Sequence, residues 1–213
     1  MLRRAAIGLF ISAAWMVSAT AHAQEGLPTG GPVAHDGQAP AGGNAQFQVT
    51  ADVARFCTVG NPTLSNATAT NNVRSLADGV LTIDALMDAT TLSTRAAEFG
   101  IALEAVCNYN HRVILTSENN GLWREPEAGV VPGGFAGAVP YRASLDWAGE
   151  QTILAANAET RRAESREMAV AKPNAGSVLI DVRINEGATN RAANLPLLAG
   201  VYRDTLRVTI EPE

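Results

Sequence analysis

Two cysteines, Cys57 and Cys107, carry the chemistry that is easiest to delimit in this sequence. A cysteine can act as a nucleophile, bind a metal or form a disulfide, and the cellular compartment largely decides among these roles. In an oxidising compartment, two cysteines favour one intramolecular disulfide, which would leave no thiol for catalysis. A pair of buried free thiols is the alternative. The choice depends on whether the chain is exported.

The N-terminal residues 1–23 predict export. Arg3 and Arg4 precede an apolar run over Ala5–Ala19, and residues 21–23 (Ala-His-Ala) offer a small-residue cleavage site. This order is typical of a secretory signal peptide, and the run is too short for a membrane span. A short N-terminal anchor helix is the alternative. We expect a soluble exported product with no membrane insertion of the mature chain, and therefore a disulfide.

The mature chain is predicted to consist of an arm and one domain. Residues 24–45 are dominated by Pro, Gly and Ala, so they cannot bury enough apolar surface to offset their ordering entropy and should be flexible. Residues 46–213 are enough for one well-buried domain. The net charge of -5 becomes more negative when Arg3 and Arg4 are removed. This charge disfavours nucleic acid or an anionic membrane as a partner.

The remaining titratable residues do not form a recognised catalytic or metal-binding pattern. His35 lies in the arm and His111 in a predicted turn, so the two cannot share a strand or a helix face. No phosphate-binding loop, nucleophile elbow or dinucleotide fingerprint occurs, although a calcium site made only of carboxylates stays open. Glu125 and Glu127 lie in predicted loops, which favours solvated surface carboxylates. We expect neither an enzyme nor a cofactor.

Three aromatic residues, Trp123, Tyr141 and Trp147, could stack on a sugar ring. Tyr141 and Trp147 share the inward parity of a predicted strand, so we expect them to pack in the core. Trp123, beside a Gly/Pro-rich loop, leaves open a second hypothesis, a self-sufficient secreted or periplasmic β-sandwich that binds a ligand such as carbohydrate.

The elements that position these residues are predicted to be strands. Apolar and polar residues alternate in successive runs, which indicates strands with one buried face. The runs are Gln46–Cys57, Phe99–Cys107, Arg112–Ser117, Val139–Trp147, Val178–Ile184 and Val201–Ile210, with shorter candidates at Val80–Ile83 and Gln151–Leu154. Ala155–Lys172 is rich in helix formers and predicts a short surface helix or an ordered loop. Together these elements predict an all-β, antiparallel sandwich with one short helical insertion.

The last run ends the chain, so we expect its strand to have no successor in the sequence to pair with. Residues 198–210 (LAGVYRDTLRVTI) resemble the closing signature of spore coat protein U domain proteins, the pilin-like subunits of archaic chaperone–usher pili. Residues 47–53 (FQVTADV) followed by Cys57, the segment around Cys107, and Tyr141–Trp147 are similar to other parts of that family in the same order. The resemblance spans residues 46–210.

The resemblance implies a structural or adhesive pilus subunit of a Gram-negative bacterium. Such a domain is an immunoglobulin-like sandwich that lacks its final strand, and another chain adds a strand to the open edge. The implied partners are a periplasmic chaperone, an outer-membrane usher and other pilin subunits, and the implied locations are the periplasm and then the cell surface. The expected acceptor groove consists of Phe47, Val49, Val53, Tyr202, Leu206, Val208 and Ile210.

The arm departs from what a donor strand requires. A donor strand presents alternating apolar residues, yet Leu27 and Val33 are the only candidate plugs in residues 24–45. Pro28, Pro32 and Pro40 also remove backbone donors from this segment. The chain is therefore predicted to be a subunit that accepts a strand but donates poorly, such as a tip or minor subunit, or a relative that does not polymerise.

Overall fold

A computed structural model of the protein describes residues 43–125 and 130–213. Within these residues the regular elements are strands, and no helix long and apolar enough to cross a membrane occurs there. The strands are β1 (Cys57–Val59), β2 (Thr63–Leu64), β3 (Val73–Ala77), β4 (Val80–Ile83), β5 (Ala97–Cys107), β6 (His111–Ser117), β7 (Leu122–Glu125), β8 (Ala138–Val139), β9 (Tyr141–Trp147), β10 (Glu150–Ala156), β11 (Glu164–Val170), β12 (Asn174–Ile184), β13 (Val201–Arg203) and β14 (Leu206–Pro212).

The larger sheet has the strand order β1-β5-β12-β9-β10, with β2 also pairing with β5. Its centre is the antiparallel pair of β5 and β12, whose ladder runs from Ala97 opposite Ile184 to Cys107 opposite Asn174. The alternation in the sequence explains this placement, because every second residue of β9 and of the second half of β12 is buried while most of the residues between them are exposed. The predicted parity of these strands is confirmed.

A second sheet, in the order β11-β6-β14, contributes the other side of the core. Val113 and Leu115 of β6 and Val170 of β11 are buried in the same apolar cluster as Leu145 and Trp147 of the larger sheet. A further small sheet joins β13, β7 and β8, and β3 pairs with β4 in a hairpin. All these pairings are antiparallel, so the predicted all-β antiparallel sandwich is confirmed.

The predicted helical insertion over Ala155–Lys172 is wrong. This segment includes the end of β10 and all of β11, which pairs with β6 along Glu164–Val170. Met168 and Val170 are buried, and they are two residues apart, which suits a strand and not a helix. Intrinsic helix propensity is a weak preference, and here the backbone hydrogen bonds to β6 and the burial of these two side chains override it.

The predicted first strand over Gln46–Cys57 is also wrong for most of its length. Regular strand begins only at Cys57, and residues 46–56 lie outside every strand. The last of these residues are held instead by Asn108, whose side-chain amide donates to the carbonyl of Ala54 and accepts from the N–H of Phe56. An alternating pattern makes a segment capable of strand formation, but a strand also requires an edge that bonds to it.

His111, expected in a turn, lies at the start of β6 and is fully buried. Its Nε2 accepts a hydrogen bond of 2.8 Å from Nε1–H of Trp147, an atom that can only donate. The proton of the neutral ring therefore lies on Nδ1, which donates to the carbonyl of Tyr109 at 2.8 Å. The pair satisfies both polar groups inside the core and fixes the tautomer of His111.

Candidate functional site

The last strand, β14, has an open edge. Among the strands that the structure describes, β14 is hydrogen-bonded to β6 alone. Val208 lies opposite Leu115 and Ile210 opposite Val113, and residues directly opposite in an antiparallel pair point to the same side. Leu115 and Val113 have 0% exposure, whereas Val208 and Ile210 are only partly buried. The inward side of β14 is therefore incompletely covered.

The nearby edge of the larger sheet has the same property. In β1, Val59 lies opposite Ala105, so the two side chains point to the same side. Ala105 is 1% exposed, yet Val59 is 41% exposed. The strands β1 and β14 approach each other but share no backbone ladder. We call the incompletely covered apolar side chains of these two edges, Val59, Leu206, Val208 and Ile210, the open groove.

The disulfide between Cys57 and Cys107 forms as predicted, and no free cysteine occurs in the residues described. The two residues are direct partners in the β1–β5 ladder, with their Cα atoms 4.2 Å apart. Because β1 is only three residues long, it has few backbone hydrogen bonds of its own. The disulfide therefore attaches one edge of the open groove to the core of the larger sheet.

The closing run of the sequence divides into two strands at Asp204. Residues before it pair with β7 as β13, and residues after it pair with β6 as β14. Tyr202, predicted as a groove residue, thus belongs to a different sheet from Val208. Its hydroxyl donates to the carbonyl of Leu198 at 2.8 Å, and partial burial raises the pKa of this phenol.

Asp204 stabilises this division because its carboxylate accepts hydrogen bonds from several elements. Oδ2 accepts from the hydroxyls of Ser117 and Tyr141 and from the N–H of Gly121, and Oδ1 accepts from the backbone N–H groups of Asn119 and Thr205. The distance from the Tyr141 hydroxyl to Oδ2 is 2.7 Å. Hydrogen bonds to an ionised acceptor are stronger than neutral ones. The carboxylate therefore joins β6, β9 and the start of β14.

Burial and the neighbouring Asp204 carboxylate raise the pKa of Tyr141 far above the ordinary value. The unfolded chain releases this proton near pH 10, whereas the folded chain keeps it, so the folded state loses stability as the pH rises above that value. We expect the free energy of unfolding to fall by up to about 1.4 kcal/mol per pH unit for this one group.

Urea unfolding between pH 8.5 and pH 11.5, roughly the range that brackets the unfolded tyrosine pKa, would measure this dependence. The variant Tyr141→Phe should show a shallower slope than the wild type, whatever its stability at neutral pH. Equal slopes in both proteins would contradict the assignment, and Tyr109→Phe provides a control for a tyrosine outside the Asp204 cluster.

The other predicted site residues have different surroundings. Phe47, Val49 and Val53 lie outside every strand and are 85%, 80% and 84% exposed, so they are not buried side chains of a first strand. The predicted plugs Leu27 and Val33 lie outside the described residues, as do the predicted signal peptide and most of the predicted arm.

Among the aromatic candidates, Tyr141 and Trp147 are buried, as their parity predicted. Trp123 is partly exposed, but its indole N–H donates to the carbonyl of Asn119 at 2.7 Å. The described residues contain no group of three or more His, Cys, Asp or Glu side chains placed to hold a metal ion. Within residues 43–125 and 130–213, the open groove is thus the feature that is least covered by a packing partner.

Two functional features were missed by sequence reasoning. Val59 was not predicted to line a groove, although it follows Cys57 at the spacing that places both side chains on the same side of a strand. Asp204 lies within the predicted strand Val201–Ile210, at the same parity as Tyr202 and Leu206, and its acidic side chain among these apolar neighbours is the available signal that the strand is interrupted there.

Comparison of the sequence with models of known protein families finds no match, and comparison with curated proteins finds no matching relative.

Proposed function

We propose that this protein is a structural or adhesive subunit of a surface pilus that a chaperone and an usher assemble, and that its subunits are joined by donor-strand complementation. The observation that carries the proposal is the open groove between β1 and β14. The resemblance of residues 198–210 to the closing signature of spore coat protein U domain proteins supports the same function.

The groove has the two properties that strand addition requires. Among the strands that the structure describes, none pairs with the second edge of β14, which leaves its backbone N–H and C=O groups available to an added strand. The alternating side chains Leu206, Val208 and Ile210 supply an apolar surface with the two-residue spacing of a strand. Fully burying a side chain of this size contributes about 1.5–3 kcal/mol, and these three are already partly buried, so each has less than that still to gain. An added strand would stabilise the domain through several such contacts and a backbone ladder.

The segment of residues 47–53 fits the role of donor strand better than Leu27 and Val33 do. Phe47, Val49, Ala51 and Val53 alternate with polar residues, and the three large side chains are at least 80% exposed. Their spacing matches that of Leu206, Val208 and Ile210, because both sets follow the two-residue period of a strand. We therefore assign the donor function to this segment, in a second copy of the chain, and not to the arm before it.

A fusion tests the groove directly. A flexible linker and a second copy of residues 46–55 appended after Glu213 should raise the free energy of unfolding in urea by about 3 kcal/mol or more, since the strand becomes intramolecular. The matched control carries serine at the positions of Phe47, Val49 and Val53 in the appended copy. A fusion no more stable than its serine control would contradict the proposal.

A pair of groove variants makes the test specific to the inward side of β14. In the fusion, Val208→Asp should remove most of the gain, because it places a charge beneath the added strand. Thr209→Asp changes the next residue, which points to the other side of the same strand, and should keep most of the gain. Equal effects of the two substitutions would indicate that the added strand does not occupy the groove.

A further inference from the structure

Two arginines lie side by side on the outer face of the larger sheet, the face opposite the core. Arg142 of β9 and Arg183 of β12 are directly opposite each other in the ladder, and both alternate with buried residues. On the other side of Arg183, Glu98 of β5 lies opposite and forms an ion pair with it. Like charges directly opposite on a sheet destabilise it, and Glu98, with a smaller contribution from Asp181, relieves this cost for Arg183.

The charge of Arg142 is not compensated in this way. It has no hydrogen bond or ion pair to any residue in the ranges 43–125 and 130–213, and its neighbour on the far side, in β10, is Ala155. The ion pair of Arg183 with Glu98 uses Nη2, and the other guanidinium nitrogens of Arg183 keep their N–H groups for a further acceptor.

A depression of about 170 Å³ lies between these side chains. Besides the two arginines, the residues that line it include Asn157, Asn185 and Ala155. Its volume is well below the roughly 300–1,000 Å³ of pockets that enclose a whole ligand. It would therefore hold one group of a larger molecule.

We propose that Arg142 and Arg183 form a binding site for an oxyanion group, namely a carboxylate, a phosphate or a sulfate. A guanidinium presents a planar set of N–H donors that matches the two oxygens of such a group. A bound anion would also relieve the repulsion between the two arginines. The site faces away from the core, whereas the open groove is formed by inward side chains, so this proposal does not depend on the pilus function.

The test uses the full mature chain and three separate probes: acetate, inorganic phosphate and sulfate. Side-chain NMR of the arginines should show saturable shifts of Arg142 and Arg183, with a Kd on the order of 1–10 mM for a single anionic group. The probe that binds most tightly identifies which oxyanion the site prefers. Arg142→Gln should raise the Kd of that probe at least tenfold. Arg166→Gln, on β11 of the other sheet, should leave the Kd unchanged.

Two further measurements separate a binding site from a general response to salt. Arg142→Lys keeps the charge but loses the planar donors, so it should also bind more weakly than the wild type. Without added anion, Arg142→Gln should have a higher Tm than the wild type, because it removes the repulsion with Arg183. The proposal is overturned if none of the three probes gives a saturable shift, or if Arg142→Gln binds them as tightly as the wild type.

Discussion

Replacing Asp204 with alanine should lower the free energy of unfolding by about 3–5 kcal/mol. The carboxylate accepts hydrogen bonds from Ser117 and Tyr141, whose side chains are buried, and from three backbone N–H groups in the turn after β6 and at the start of β14. Leaving buried donors without an acceptor costs about 1–3 kcal/mol for each group that water cannot reach. Urea unfolding at neutral pH measures the loss.

The control for this prediction is Asp146→Ala, which removes an exposed carboxylate from β9 and should change stability by less than about 0.5 kcal/mol. Asp204→Asn should fall between the alanine variant and the wild type, because the amide keeps one acceptor oxygen but places N–H donors against Ser117 and Tyr141. A loss below about 1 kcal/mol in Asp204→Ala would show that the hydrogen bonds to its carboxylate are not what stabilises the passage between sheets.

Removing the disulfide should have an effect of similar size. The bridge joins residues separated by 50 positions, and a loop of that length stabilises a domain by roughly 4 kcal/mol in the chain-entropy description. The double variant Cys57→Ser/Cys107→Ser should therefore unfold at a markedly lower urea concentration than the oxidised wild type. It should also release β1, because β1 has only three residues to hold it on β5.

Reduction of the wild type is the internal control for the disulfide. A reducing agent should bring the wild type to nearly the stability of the double variant and should leave the double variant unchanged. If the double variant is as stable as the oxidised wild type, the bridge contributes nothing to the fold. Hydrogen exchange at Thr58 and Val59 then reports whether the groove edge stays attached to β5.

The two predictions concern the two edges of the same groove. Asp204 determines where the chain leaves the sheet of β13 and enters the sheet of β14, and the disulfide determines where β1 lies on β5. Loss of the Asp204 carboxylate or of the disulfide should also lower the stabilisation that an appended donor strand provides. The donor strand would then bind to a β14 or β1 edge that is itself poorly positioned. A fusion carrying Asp204→Ala measures this dependence by comparison with the same substitution in the unfused chain.

Part of this structure followed from local pattern alone. In Tyr141–Trp147 the inward residues are buried and most of the outward ones are exposed, because side chains alternate strictly along any strand, whichever strand lies beside it. The same holds for Val178–Ile184. The disulfide was also predicted, because the expected export would place Cys57 and Cys107 in an oxidising compartment, where two cysteines favour one bridge.

The secondary structure was predicted wrongly for two segments in which it depends on a neighbouring strand that is distant in the sequence. Glu164–Val170 has the composition of a helix, but its position beside β6 makes it a strand. The segment of residues 46–56 has the pattern of a strand, but it forms no ladder with any described strand. In both segments the local preference is small compared with the hydrogen bonds and burial that a neighbouring strand supplies or withholds.

The closing run shows this division most clearly. The sequence by itself determined that Leu206, Val208 and Ile210 share one side of a strand, because that follows from a period of two residues. Only the tertiary structure decided that Asp204 ends one strand and starts another, and that β14 pairs on one edge while the other stays open among the described strands. The physical reason is that parity is a property of the backbone of one segment, whereas pairing and coverage depend on contacts between residues far apart in the chain.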